Sequence, residues 1–146
     1  MDCEIGSCAA ERRTGIDHAS IHAMSETTDR MKTRTMRFAL DVCALIKDLP
    51  HDEPGPTVRR QLAKSATSLA FNYRASCRAR SHKEFTAKIG LVAEEADESQ
   101  GWLEFIEAAQ LVNCRDLSRL VIESTELTKV VSASYGTARS NERFKK

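Results

Sequence analysis

The middle of the chain, residues 64–88, reads KSATSLAFNYRASCRARSHKEFTAK. Within it, SHKE has the form of a helix capping box. The Ser81 hydroxyl can accept a hydrogen bond from the Glu84 backbone N–H, and the Glu84 carboxylate can accept one from the Ser81 N–H. Apolar residues recur at helical spacing on both sides of this box. The stretch therefore predicts two helices joined by a short turn, one ending near residue 79 and the next beginning at 81.

The same apolar periodicity predicts a helix on either side of this pair. The first covers about residues 29–49 and ends at the prolines at 50, 54 and 56, and the last follows a cap at Asn113 and runs to about 135. Apolar and small residues form a seam on the third helix at alternating spacings of four and three, which favours shallow antiparallel packing. These are Phe85, Ile89, Val92, Ala96, Ser99, Leu103 and Ile106. The chain therefore predicts an all-α, up-down-up-down antiparallel four-helix bundle.

We expect three parts along the chain. Residues 1–27 are polar and without apolar period, which predicts a flexible N-terminal extension. Residues 28–136 form the bundle, with Gly136 as a helix stop, and residues 137–146 form a basic C-terminal tail. The Met residues at 24, 31 and 36 are alternative starts, so part of the extension need not be translated.

Composition is that of one globular domain. The 146 residues are 41% hydrophobic and 29% charged, and no apolar run reaches the length of a membrane span. The five cysteines are an odd number, and without an export signal we interpret them as reduced thiols in the cytoplasm. We expect neither a membrane association nor a cofactor.

Charge is segregated although the net charge is only +1. Residues 56–93 contain eight Lys or Arg and one acid, and residues 94–107 contain six acids and no base. On the second helix, the cations fall on a stripe roughly opposite the core positions, with Phe71 among them. This stripe and the following turn supply the candidate nucleic-acid-binding residues, Arg60, Lys64, Arg74, Arg78, Arg80 and Lys83. The alternative is an ordinary solvated or inter-subunit face.

The third helix carries a mixed acidic and apolar band outside its core seam. Together with the aromatic residue of the basic stripe, this band suggests a head-to-tail contact between subunits. The candidate interface residues are Phe71, Leu91, Glu95, Glu98, Trp102 and Phe105.

Neither a metal site nor a catalytic site is supported by the sequence. Cys3, Cys8, His18 and His22 approach a zinc-finger spacing but lack its apolar packing residues, so we expect no metal. Cys43 and Cys77 are interpreted as packing residues, because no histidine is placed by sequence to activate them. The acids of the third helix are interpreted as ion-pair partners, and we expect no catalytic residue and no enzymatic activity.

The stretch from about 60 to 106 resembles the bacterial four-helix bundle protein family first noticed as open reading frames within intervening sequences of 23S ribosomal RNA genes. Two segments carry the resemblance, KSATSLAFNYRASCRARSHKEFTAK and EEADESQGWLEF. The matching positions are Ser65, Ser68, Asn72, Tyr73, Arg74, Arg80, Ser81, Glu84, Phe85, Lys88, Glu94, Glu95, Asp97, Glu98, Trp102 and Leu103. Ala70, Phe71 and Gly101 depart from the family's pattern.

The resemblance implies a left-handed bundle assembled as a homopentameric ring. It also implies kinship with the accessory protein of diversity-generating retroelements, which pairs with a reverse transcriptase and binds nucleic acid. Two hypotheses follow. One is an oligomeric accessory protein that binds RNA or DNA through its basic face, and the other is a protein-interaction or scaffold module whose charged faces serve only assembly.

Overall fold

The fold is described from a computed structural model, which describes residues 18–143, with side chains from 23 to 142. Four α-helices follow one another: α1 (His18–Leu45), α2 (Gly55–Ser76), α3 (His82–Ala108) and α4 (Arg115–Arg143). A short 3-10 turn, Ile46–Asp48, extends α1. No strand occurs between residues 18 and 143. The prediction of an all-α four-helix bundle is confirmed, while its up-down direction and left-handed sense stay predictions.

The bundle is closed around one core to which every helix contributes. α3 packs along both α2 and α4, and α1 packs on α2 and, over a smaller interface, on α4. The predicted seam of α3 is buried from Ile89 to Ile106. Its small members allow close approach: the Ser99 hydroxyl donates to Ser65 of α2 at 2.9 Å, and both side chains are fully buried. The period of the sequence therefore fixes which face of each helix points inward.

The start of α3 follows the capping box with one difference. The Glu84 backbone N–H donates to the Ser81 hydroxyl at 3.1 Å, as predicted. The Glu84 carboxylate, however, accepts its hydrogen bond from the backbone N–H of Arg80 at 2.8 Å, and not from that of Ser81. The carboxylate thus ties down the turn before the helix as well as the helix start.

Both outer helices are longer than predicted. α1 begins at His18, so residues 18–27 of the predicted extension are helical, and α4 continues through Gly136 to Arg143. Packing explains the second difference, because Ala138 is buried and its carbonyl lies 2.9 Å from His82 Nε2. These contacts outweigh the roughly 1 kcal/mol by which glycine disfavours a helix. Residues 1–17 and 144–146 lie outside the described part.

The inner helices are shorter than predicted. α2 ends at Ser76 and not near residue 79, and α3, whose apolar pattern predicts an end near residue 111, ends at Ala108. Arg78 therefore lies in the turn after α2.

Two glycines allow the chain to pack closely. A Cβ at Gly55 would lie 1.9 Å from the Pro50 carbonyl oxygen, and one at Gly90 would lie 3.0 Å from the Tyr135 ring of α4. Gly55 allows the chain to turn into α2, and Gly90 allows α4 to lie closely against α3.

Candidate nucleic-acid interface

The basic face consists of the outward side of α2 and the turn that follows it. Its members are Arg60, Lys64, Phe71 and Arg74 on α2, Arg78 and Arg80 in the turn, and Lys83 in the first turn of α3. All seven side chains are exposed. The core positions Leu62 and Leu69 of the same helix are fully buried. The predicted division of α2 into a core side and a cationic outer side is therefore present.

Few of these cations are neutralised by the chain itself. Arg80 pairs with Glu84 at 3.6 Å, and Arg60 donates only to the neutral Thr57 hydroxyl at 3.3 Å. Across the described side chains, 23–142, Arg74, Arg78 and Lys83 have no carboxylate within salt-bridge distance. Among the described side chains, no ion pair joins Arg74, Arg78 or Arg80 to the later acids of α3, Glu94, Glu95, Asp97 and Glu98, which the sequence analysis interpreted as ion-pair partners. Their charge is available to a ligand or to another molecule.

Arg59 belongs to the same cluster in sequence but not in space. Its Nε donates to the Ile46 carbonyl at 2.9 Å and its Nη2 to the Leu49 carbonyl at 2.8 Å. These two carbonyls lie at the end of α1 and its 3-10 turn, where backbone acceptors lack α-helical partners; the Ile46 carbonyl accepts only a long bond from the Leu49 N–H, at 3.4 Å. Arg59 thus ties α2 to the end of α1, and it is not part of the basic face.

Phe71 is the apolar member of the basic face. Its side chain is 61% exposed, although it lies in the middle of a helix with a well-filled core. Leu91 and Phe105 on α3 are also exposed, at 48% and 42%. Trp102 is only partly exposed: it packs against the core, stands edge-on to Phe105 at 5.9 Å between ring centroids, and donates to Glu98 at 3.3 Å. The apolar part of the predicted α3 band is therefore mainly Leu91 and Phe105.

Glu95 is the unusual acid of this band. One of its carboxylate oxygens, Oε2, is shielded from solvent and accepts no hydrogen bond within the described chain. Burial raises the pKa of Glu95, and the neighbouring Glu98 and Glu94 raise that pKa further, while the charge of Lys64 lowers it. Lys64 is therefore close enough to act on Glu95. The basic face of α2 and the acidic band of α3 adjoin at this point.

A groove that was not predicted from the sequence lies between α1 and α4. It has a volume of about 720 Å³, and we call it the seam groove. Arg34 makes a two-pronged contact with Glu123 across it, Nε to Oε1 at 2.6 Å and Nη2 to Oε2 at 2.9 Å. Asp41 joins Arg37 at 3.1 Å and Arg119 at 3.0 Å. No motif marks the two pairs that cross the groove, because Arg34 and Glu123 are 89 residues apart in the chain and Asp41 and Arg119 are 78 apart.

A second pocket, of about 560 Å³, lies where α2 ends and α3 begins. Cys77, His82 and Tyr73 all line this pocket. The presence of a histidine in the same pocket as Cys77 was not predicted from the sequence. Burial raises the pKa of Tyr73 to about 12, and the contact with Cys77 adds to the rise. The His82 Nε2 is engaged with the Ala138 carbonyl. These described contacts do not define a catalytic arrangement of Cys77, His82 and Tyr73.

Metal ligation and membrane insertion find no support among the described residues. Among the described side chains, 23–142, no three from His, Cys, Asp or Glu cluster in a way that could hold a metal ion. Cys3 and Cys8 of the zinc-finger-like spacing lie outside the described residues, as do the side chains of His18 and His22. None of the four helices, over the described range, is both long and apolar enough to span a bilayer.

The described chain is thus a helical bundle whose distinctive chemistry lies on open faces, one basic with an exposed ring and one acidic and apolar. Residues 28–133 match the family of the 23S rRNA-intervening sequence protein, and the chain belongs to that family. The resemblance stated from the residues is confirmed.

A solved structure has a similar fold. It is the crystal structure of a protein of unknown function from the S23 ribosomal protein family of Bacteroides thetaiotaomicron. The two chains are 25% identical, with a TM-score of 0.64, and the match covers 71% of this chain and 96% of the other. No curated protein sequence matches the chain significantly.

Proposed function

We propose that this protein is a non-enzymatic, nucleic-acid-associated accessory protein that binds the phosphates of RNA or DNA with its basic face. The observation that supports this most strongly is the set of exposed cations, Arg74, Arg78 and Lys83, that have no carboxylate partner among the described residues. Cations placed so are free to release counterions from a nucleic-acid backbone. The main chain that carries them is already fixed by α2, the capped turn and α3, so binding has to order only the side chains.

Assembly would strengthen such binding. By analogy with the family that the sequence resembles, the proposal includes a homopentameric ring in the cytoplasm and a reverse transcriptase as a candidate protein partner. Repeating a modest basic face around a ring multiplies its field and its avidity for one polymer. The role is assigned as accessory because the described pockets define no set of reacting groups.

The test is fluorescence anisotropy with labelled 20-mer oligonucleotides at low and moderate salt. We expect binding at micromolar concentration or tighter that weakens steeply as salt is added. The double variant Arg74→Glu/Arg78→Glu should weaken binding by about ten- to a hundredfold. It should also make the salt dependence shallower by about 0.7 to 0.9 per lost phosphate contact.

The matched control is Lys47→Glu/Arg115→Glu, which changes the net charge equally at two exposed residues outside the basic face. It should retain most of the affinity. Absence of binding to every oligonucleotide at low salt would refute the proposal, and so would an equal loss in the control, which would indicate only a general charge effect.

A second candidate function, a scaffold built from copies of this chain, is favoured by a different observation. Phe71, Leu91 and Phe105 are exposed, and Glu95, one turn after Leu91 on α3, has a shielded oxygen without a hydrogen-bond partner in the described chain. An arginine of another subunit, Arg74 for example, would pair with the exposed carboxylate of Glu98, about one turn further along α3. If this is the role, Arg74→Glu should change the assembly state in multi-angle light scattering, and an unchanged mass would count against it.

A further inference from the structure

We propose that the basic face selects single-stranded over double-stranded nucleic acid, and that Phe71 does so by stacking on an unpaired base between phosphates held by Lys64 and Arg74. This inference rests on the proposed function, since it names the class of ligand for the same face. The shared ligand chemistry is an unpaired base with its flanking phosphates, from either RNA or DNA.

The first argument is the place of the ring. Phe71 is 61% exposed and lies on the opposite side of α2 from Leu62 and Leu69, which are fully buried. Its ring therefore contributes nothing to the subunit's core. An exposed ring of this kind can bury apolar surface only against something outside the subunit.

The second argument is the place of the charges around the ring. Lys64 precedes Phe71 by two helical turns, and Arg74 follows it by about one turn, on the same exposed side. At 1.5 Å rise per residue, the two cations are about 15 Å apart along the helix axis, with the ring between them. Arg74 has no acidic partner in the described chain, and Lys64 has only the nearby charge of Glu95. A ring between two cations can stack on a base while the cations hold the nucleic-acid backbone on either side.

The third argument concerns the form of the ligand. In a duplex each base is already stacked on its neighbours, so a ring on the convex side of a helix has no free base face to cover. In a single strand every base offers such a face, and stacking on it tolerates any sequence. Phosphate contacts alone would not discriminate between the two forms, so the discrimination is assigned to Phe71.

The experiment compares single-stranded RNA, single-stranded DNA and duplex 20-mers in the full chain and three variants of residue 71. Phe71→Ala should weaken single-strand binding by about tenfold, and Phe71→Leu should weaken it similarly, because an apolar group without a ring cannot stack. Phe71→Trp should bind at least as tightly as the native chain. Duplex binding should change less than twofold in all three.

The control is Leu40→Ala, which removes a side chain of similar exposure, 60%, from α1. It should leave single-strand binding unchanged. A direct reading comes from Phe71→Trp combined with Trp102→Phe, which leaves the new indole as the only one in the chain. Its fluorescence should be quenched when single strands are added and not when duplex is added. Preference for RNA or DNA would identify the source, and either result supports the inference.

Several outcomes would overturn the inference and leave the proposed function standing. One is equal or tighter binding of duplex. Another is a Phe71→Ala variant that binds single strands normally while Arg74→Glu/Arg78→Glu does not. A third is a Phe71→Ala variant that loses its assembly state in light scattering but binds single strands normally, which would assign the ring to a protein contact. If the native chain binds no nucleic acid, the proposed function itself fails.

Discussion

The seam between α1 and α4 and the outer face of α2 both carry arginines, but in different electrostatic situations. In the seam, Arg34 is held by Glu123 and Arg119 by Asp41, so each guanidinium is matched by a carboxylate of another helix. On the basic face, Arg74 of α2 and Arg78 of the following turn have no such match among the described residues. The fold uses the first set to join helices, and the second set is left for an external partner.

The same contrast occurs between two consecutive residues. Arg59 donates to two backbone carbonyls at the end of α1, whereas Arg60 is exposed and donates only to Thr57. One residue of shift on a helix turns the side chain by about 100°. Replacing each arginine in turn therefore separates the structural role from the ligand-binding one.

The largest effect on stability is expected for Arg59→Met. The change keeps most of the side-chain volume but leaves two partly buried carbonyls without their charged donor, which should cost about 2 kcal/mol of unfolding free energy. Urea unfolding at pH 7 and one protein concentration measures this. Arg60→Met is the matched control and should stay within about 0.5 kcal/mol of the native chain. Equal midpoints for the two variants would contradict the distinction.

A smaller effect is expected from the pair Arg34 and Glu123. Their contact has good geometry, but about a third of each side chain is exposed, 36% and 28%, so solvent screens it. A double-mutant cycle with Arg34→Met and Glu123→Gln should give a coupling of about 1 kcal/mol.

The cycle has an internal reference in the exposed pair Lys129 and Glu126, three residues apart on α4 at 2.9 Å. Its coupling should be only about 0.3 kcal/mol. Equal coupling in the two cycles would mean that α1 and α4 gain nothing from the seam pairing, and the contrast with α2 would lose its basis.

The sequence predicts the core well but does not predict the ion pairs between α1 and α4, for a physical reason. The α3 core from Ile89 to Ile106 follows from local periodicity, because a helix places every third or fourth residue on one side whatever surrounds it. Whether an arginine is paired depends on groups far away in the chain, such as Glu123 for Arg34. Periodicity carries no information on those groups.

Helix ends follow the same logic. The Ser81 cap is local and was predicted correctly, including its bond to the Glu84 N–H. The continuation of α4 past Gly136 depends on the packing of Ala138 and Tyr135 against α3. The residues next to Gly136 in the sequence do not indicate this packing. For the basic face, the sequence predicted the outward direction of Lys64, Phe71 and Arg74 correctly and left Arg59 out, but it did not predict the bonds of Arg59 to the end of α1.

The smallest effect is expected at the carboxylate that joins the basic face to α3. The hydrogen bond from the Arg80 backbone N–H lowers the pKa of Glu84, and the charges of Arg80 and Lys88 lower that pKa further. A carboxyl whose pKa is lower in the folded state stabilises the fold above its unfolded pKa, and this contribution is lost as pH falls through the folded pKa. The stabilising effect of Glu84 should therefore be present at pH 7 and disappear under acid conditions.

Thermal unfolding from pH 7 down to pH 3 tests this with Glu84→Gln. The variant should melt below the native chain at pH 7, and the two should converge as the pH falls, since the native carboxylate is then protonated. Glu94→Gln removes an equal charge from an exposed position of α3 away from its first turn, so it should show no such convergence. Parallel curves for Glu84→Gln and the native chain would mean that the carboxylate does not hold the turn. The turn that carries Arg78 and Arg80 would then be held by the Ser81 cap and by its backbone hydrogen bonds, such as that from the Arg78 N–H to the Ala75 carbonyl.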